Sequence, residues 1–363
     1  MSADNAKRVV VKLGTGVLTS GVGQLDTQKM KSICAQIADA KKRGLEIVLV
    51  SSGAVGLGMG KLGLKSRPKQ IVAVQECAAV GQGILIQTWA ELFAPFGITI
   101  AQILITRDDV DVLERHKSMR GLIDKLLADG IVPIINENDC VTAAGLFIKF
   151  GDNDVLSALT ATLAKAGKLM ILSTAPGLID MNGTGEIVPV VEKITPKIRA
   201  MASGTTSTTA VGGMITKIRA AEIATSSGCD VYIASGSEEN IIAKILDGKQ
   251  VGTLFKGSRQ TVSSRKRWLA HFGRTTAKIF VDAGAAKALQ NRGSSLLPAG
   301  VKSVSGKFKR GDLVEIVDVS DNEIVARGLA EVDADKIGEM LSKSGGKCGH
   351  KDVVVHRDNM TLV

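Results

Sequence analysis

Aromatic residues make up only 3% of this 363-residue chain. A surface that stacks nucleic-acid bases on aromatic rings is therefore not expected. Cysteine is also scarce: five residues, at 34, 77, 140, 229 and 348, odd in number and without disulfide-framework or metal-ligand spacing. They read as reduced thiols in a cytoplasmic protein. No run of 18 uncharged apolar residues occurs, so no membrane span is expected. The first residues, Met1 to Arg8, lead straight into an apolar strand pattern and lack the apolar segment of a signal peptide. Histidine is limited to four residues, none inside a motif that suggests chemistry.

What the chain has in quantity is small and aliphatic. Apolar residues reach 45% and glycines number 40, which suits a protein of alternating strands and helices. Net charge is +10, and the last 107 residues hold 18 Lys/Arg against 12 Asp/Glu. Such an excess can attract nucleic acid or anionic substrates, although it is also an ordinary property of surfaces.

Polar residues gather where apolar runs stop. Residues 8–13 read as a buried strand ending at Lys12, followed by Gly14-Thr15-Gly16. Glycines there let the backbone approach a phosphate, and the lysine adds a point charge. The spacing around Gly14 fits neither a Walker loop nor Gly-x-Gly-x-x-Gly. A helix is expected over 26–43, with Met30, Ile33, Cys34 and Ile37 on one face. The strand at 45–50 runs into Ser51-Ser52-Gly53-Ala54. A long helical pattern covers 69–93 and a strand 98–105, and a helix runs from Thr106 to about Leu127. The next apolar run stops in Asn136-Glu137-Asn138-Asp139. Gly151-Asp152-Asn153-Asp154 then opens a helix in which Val155, Leu156, Leu159 and Leu163 share a face. Turn chemistry alone also places Asn, Asp and Gly in such stretches. Two clusters within twenty residues, both at element ends, favour a ligand site at the carboxyl edge of a sheet.

A further strand at 168–172 ends in Ser173-Thr174, and residues 180–208 read as loop. Gly212-Gly213-Met214-Ile215-Thr216-Lys217 opens another helix, again a pattern suited to phosphate. Beyond Gly273 short strands at 278–281, 313–319 and 323–328 suggest a small β-rich module.

Lys12-Leu-Gly-Thr, Ser52-Gly-Ala, Ile-Asn136-Glu-Asn-Asp139, Phe-Gly-Asp152-Asn-Asp154 and Gly212-Gly-Met-Ile-Thr-Lys217 occur in the order seen in bacterial glutamate 5-kinases. The chain resembles that family over nearly its whole length, including Arg292-Gly-Ser-Ser-Leu-Leu-Pro and His356-Arg-Asp. The resemblance implies a three-layer αβα amino-acid-kinase sandwich with a mainly parallel sheet, at 1–256. A linker at 257–273 and a small β-rich PUA domain at 274–363 would follow. It implies ATP-dependent phosphorylation of the γ-carboxylate of L-glutamate, the first step towards proline, with proline as feedback inhibitor. Ser52, Asp139 and Asn153 would then hold glutamate, and Asn136, Asp152 and Asp154 would shape the same pocket. Lys12 and Lys217 would lie on the phosphates, with Gly14, Gly212 and Gly213 giving amide donors. Asp154 would orient a lysine, with contact to metal-bound water as the alternative. Ser173, Thr174, Val211 and Met214 would lie on the nucleotide side. Mg²⁺ would come with ATP, with no metal ligand supplied directly by the protein.

Both reactants are anions, so positioning and charge neutralisation matter more than a strong base. Two departures from the family pattern fall on the nucleotide side: Ser173-Thr174 in place of Thr-Asp, and Ala210-Val211 in place of Gly-Thr. Glutamate binding is expected to be kept, with nucleotide preference the open part. The family suggests dimers or tetramers through the kinase domain. A sibling kinase acting on another amino acid or carbamate is the competing enzyme reading. RNA binding by the C-terminal module is the competing non-enzyme reading, disfavoured by the few aromatics.

Overall fold

A computed structural model of the chain describes residues 7–21, 23–141, 153–181, 183–202, 213–258, 269, 275, 277–343 and 353–362. Asp152, Ala210, Val211, Gly212, most of the 257–273 linker and the 203–209 loop lie outside the described residues. The chain divides into two compact units, the first running to Thr261 apart from Asp111–Leu113, the second from Val262.

The first unit alternates strands with helices. β1 (Arg8–Leu13) leads through a one-turn helix α1 (Thr15–Leu18) into a small hairpin, β2 (Thr19–Gly21) and β3 (Gln24–Leu25). α2 (Thr27–Lys42) starts where the Asp26 side chain accepts from Lys29 N, and left-handed Gly44 follows its last turn. Next come β4 (Glu46–Ser51), α3 (Ala54–Lys61), α4 (Ile71–Phe93) and β5 (Ile100–Ile105). Two helices, α5 (Arg107–Asp111) and α6 (Leu113–Ala128), stand where one was expected, and β6 (Val132–Glu137) ends in the predicted polar cluster. α7 (Asn153–Leu163) and β7 (Lys168–Ser173) follow. The stretch read as loop contains β8 (Val190–Val191) and α8 (Pro196–Met201), whose Thr195 cap and first-turn proline are local start signals. α9 (Met214–Ser226), β9 (Asp230–Ser235), α10 (Ile241–Leu246) and β10 (Thr253–Phe255) complete the unit.

Among the described residues, eight of these strands form one sheet in the order β5-β6-β4-β1-β7-β9-β10-β8. The pairs from β5 to β9 are parallel, and β10 runs antiparallel to β9. The fold is an α/β sandwich. Val9, Val11, Leu13, Ile47 and Leu49 join Met30, Ile33, Ile37, Trp89 and Phe93 in one buried cluster. Strand alternation turns Val10 and Lys12 to the opposite face, where α7 packs on β1. The register pairs Leu13 with Ser51 and Leu13 with Leu172, while Val50 pairs with Ile135. Lys12, Ser51 and Asn136 therefore end neighbouring strands at one sheet edge. α7 is buried on every side, not only along the apolar face that its spacing predicts. Two of its polar residues turn inward on the backbone, with Ser157 Oγ donating to Asp154 O and Thr162 Oγ1 to Ala158 O.

α4 and the turn after it, Ile71–Phe96, are long and apolar enough to cross a bilayer, and only 28% of the most apolar stretch is buried. The uncharged-run test misses this because Glu76 and Glu91 interrupt the sequence. In this fold one side of α4 packs on α3, glycine against backbone. A Cβ on Gly81 would stand 1.8 Å from Ala54 O, and one on Gly58 1.8 Å from Cys77 O. That contact sets α3, and with it the Ser52-Gly53 turn, in which Gly53 has φ 105°.

The second unit holds β11 (Lys278–Val281), α11 (Ala283–Arg292), β12 (Val301–Ser305), β13 (Leu313–Asp318), β14 (Ile324–Ala330), α12 (Ala334–Lys343) and β15 (Val355–Leu362). Its five described strands pair in the order β12-β11-β13-β14-β15 around Ile279, Val281, Leu289, Ile316 and Ile337. The three predicted strands are present. The helices and the two outer strands are additions to that expectation.

Gly81→Ala should destabilise the protein by about 2–3 kcal/mol through overpacking. Gly83→Ala, which meets nothing within 4 Å, should be neutral or stabilise by up to about 1 kcal/mol. Urea unfolding midpoints check both, and equal stability of the two variants would contradict the helix contact.

Candidate active site

The head of α7 carries Asn153 and Asp154, and each organises half of the site. Asp154 has no solvent exposure. Its Oδ1 accepts from Lys12 Nζ at 2.5 Å, and its Oδ2 accepts from Lys217 Nζ at 3.0 Å. Lys12 and Lys217 are themselves only 4% and 6% exposed. Thr216 Oγ1 lies 3.1 Å from Asp154 Oδ2 and 2.8 Å from the Gly213 carbonyl oxygen, which links the carboxylate to the start of α9. Burial pushes the Asp154 carboxyl up, but the two ammonium groups outweigh it and hold it below the usual carboxylate value. Two ammonium groups thus converge on one carboxylate, an arrangement that suits a phosphate.

The other half is built of amides and hydroxyls. Asn153 Nδ2 faces Ser52 Oγ at 2.8 Å, Asn136 Oδ1 at 3.1 Å and Ser51 O at 3.3 Å. Asn136 Nδ2 donates to Gln82 Oε1 at 2.9 Å, and Trp89 Nε1 donates to Ser51 Oγ at 3.1 Å. Asp139 sits half-buried in the turn after β6, where Asn138 N bonds Ile105 O at 2.9 Å.

The fold thus brings Lys12, Lys217 and Asp154 into one cluster and Ser52, Asn136 and Asn153 into another. Asp139 lies at the same sheet edge. On the remaining flank, Ser173 is buried and its Oγ accepts from Ala175 N at 3.1 Å, closing the turn after β7. Thr174 is exposed beside the glycine loop, where a Cβ on Gly16 would stand 2.9 Å from Thr174 Cγ2. Gly213 caps α9, and Met214 is its buried first residue. One expectation needs correction: Gly14 has no amide to offer a phosphate, because its N–H donates to Leu172 O at 3.0 Å. The sheet ladder extends one residue further than the sequence suggests. Thr216 lay inside a recognised motif without an assigned role, and Gln82 and Trp89 went unnoticed. Their signal was two hydrogen-bonding side chains seven residues apart on an apolar helix.

Residues 7–235 match the family model described as the amino acid kinase family, and residues 277–349 match the PUA domain. The chain belongs to the amino acid kinase family. It is a kinase, and use of ATP comes with that family. Curated relatives bearing the name glutamate 5-kinase span almost the whole chain. The Moorella thermoacetica protein is 41% identical, the alignment covering 100% of this chain and 98% of that protein. The Geobacter sulfurreducens protein is 41% identical over 98% of each, and the Myxococcus xanthus protein 40% identical over 99% of this chain and 97% of its own. Among solved structures, a carbamate kinase from Giardia lamblia bound to AMP-PNP shares the fold. It has a TM-score of 0.50 and 21% identity, covering 71% of this chain and 100% of that one.

Because the folded-state value of Asp154 is lowered, its contribution to stability is full above about pH 4 and is lost as pH falls through that lowered value. Asp154→Asn removes the carboxylate that both buried lysines pair with, so it should cost about 3 kcal/mol at neutral pH. The gap from wild type should narrow on acidification. A gap that is constant down to acid unfolding would contradict the ionised triad.

Proposed function

We propose that this kinase transfers the γ-phosphoryl group of ATP to the γ-carboxylate of L-glutamate, giving L-glutamyl 5-phosphate and ADP, the first step of proline biosynthesis. The observation that carries the reading is the buried Lys12–Asp154–Lys217 cluster standing next to the Ser52–Asn136–Asn153 amide group. Relatives that carry the name glutamate 5-kinase along nearly the full chain support the choice of substrate.

A carboxylate is already a competent nucleophile, so the chain need not remove a proton. Its work is to hold two anions in line and cancel their repulsion. Lys12 and Lys217 answer the charge of the transferring phosphoryl group, and Asp154 keeps both ammonium groups aimed at one place. Ser52, Asp139 and Asn153 grip the amino acid, with Asp139 taking its ammonium. Asn136 and Asp152 shape that pocket. Gly213 and Met214 flank the phosphates, and Ser173 and Thr174 lie towards the rest of the nucleotide; Gly212 and Val211 are given the corresponding roles by the sequence motif alone. Mg²⁺ bound to ATP would add charge neutralisation. In this reading the lysines meet the phosphates and the ion rides on the nucleotide.

Proline, which shares the amino-acid head group, is the expected inhibitor. A homo-oligomer, dimer or tetramer, would cover the bare side of α4, where Val72 is 74% and Ile71 41% exposed. Buried, unbridged Cys34, Cys77 and Cys229 suit a reducing cytoplasm.

A hydroxamate assay with ATP and glutamate, with and without proline, tests the reaction. Turnover of aspartate, acetylglutamate or carbamate without glutamate would assign a sibling activity. Tight, salt-dependent RNA binding without ATP turnover would move the function to the PUA domain. Lys217→Ala should lower kcat by about 10²–10³-fold. Asp139→Ala should raise the glutamate KM with little change in the ATP KM, and unchanged glutamate saturation would refute the pocket assignment.

A further inference from the structure

A chain of side-chain amides runs from α4 to the sheet edge, and its polarity is fixed at one end by the backbone. Glu137 N donates to Asn136 Oδ1 at 2.9 Å. A backbone amide has only a proton to give, so this contact identifies the oxygen end of Asn136 without an assumed flip. Asn136 Nδ2 must then donate, and it meets Gln82 Oε1 at 2.9 Å. The Asn153 atom 3.1 Å from Asn136 Oδ1 must likewise be Nδ2. That nitrogen also donates to Ser52 Oγ at 2.8 Å. A hydroxyl that accepts here turns its own proton outward, so Ser52 presents a donor and Asn153 presents its carbonyl oxygen. A donor suits a carboxylate and an acceptor suits an ammonium, the two charged groups of an amino acid.

We propose that Gln82 is a positioning residue for the amino-acid substrate, acting through Asn136 to hold Asn153 and Ser52 in this polarity. Gln82 is 8% exposed and Asn136 3%. Its oxygen pairs one N–H of a buried amide, and an unpaired buried donor is costly. Without that acceptor one Asn136 N–H is left unpaired in a buried place, and the amide is no longer held from both ends. Trp89, two helical turns further along α4, supports the neighbouring strand end by donating to Ser51 Oγ at 3.1 Å. One face of α4 thus braces both strand ends that carry the amide group.

The inference rests on the reading that Ser52 and Asn153 hold glutamate, and steady-state kinetics separates the two. Gln82→Met should raise the glutamate KM roughly 5–20-fold while the ATP KM stays within about twofold. Gln82→Glu keeps an acceptor oxygen at that place, so its glutamate KM should stay within about threefold of wild type. In an Asn136→Ala background Gln82 has nothing to hold, and Gln82→Met should add less than about twofold. An unchanged glutamate KM in Gln82→Met, an equal rise in the ATP KM, or additivity with Asn136→Ala would overturn the role. If Gln82→Met does not fold, Gln82→Glu decides, and a rise beyond about tenfold counts against the proposal. Ser52→Ala is the control: an unaffected glutamate KM there overturns the substrate reading itself. A KM raised by Ser52→Ala but untouched by Gln82→Met overturns only the role of Gln82.

Discussion

One carboxylate with no access to water, shared by two buried ammonium groups, ties the site together. Asp154 bonds Lys12 and Lys217, which lie 142 and 63 residues away in the chain. It thereby joins the end of the strand β1, the head of the helix α7 and the first turn of the helix α9. Burial of such a cluster is not itself a source of stability, since desolvation of each charge is expensive. Its value is arrangement. Two lysines that would repel one another are held to one place, where a phosphate can meet both.

The site is divided by type of group, and the division runs between adjacent residues. Asp154 belongs to the cationic half. Asn153, one residue earlier, belongs to a half made of neutral amides and hydroxyls with Ser52 and Asn136. A reaction between two anions needs this division. Phosphates require charge to cancel charge, whereas an amino acid carries both signs and is recognised by directed donors and acceptors. The parallel sheet makes the division possible by ending β1, β4, β6 and β7 at one edge, where the head of α7 meets them.

Much of this was legible in the sequence because local signals agreed with the fold. Met30, Ile33, Cys34 and Ile37 mark the buried face of α2, and Asp26 caps it. The polar stops at Lys12, Ser52, Asn136 and Asn153 mark strand and helix ends, and the sheet gathers them. What escaped notice depended on partners remote in sequence. Gln82 and Trp89 look like incidental residues of an apolar helix until β6 and β4 stand beside them. The amide of Gly14 looked available until β7 claimed it. In the C-terminal unit the strand β15 carries Arg357 and Asp358 on exposed positions beside half-buried His356, so its apolar period is weak. The helix α11 had readable ends, Asp282 and Gly293, but little apolar spacing between them.

The central claim is that Asp154 serves phosphoryl transfer by aiming two lysines, and not by holding glutamate. Single-turnover transfer from γ-labelled ATP to glutamate, in wild type and Asp154→Asn, tests it most directly when read beside glutamate affinity from calorimetry. The account predicts a transfer rate lower by about 10²–10³-fold with glutamate affinity within about threefold. Transfer at the wild-type rate, or a loss explained wholly by weaker glutamate binding, would contradict it.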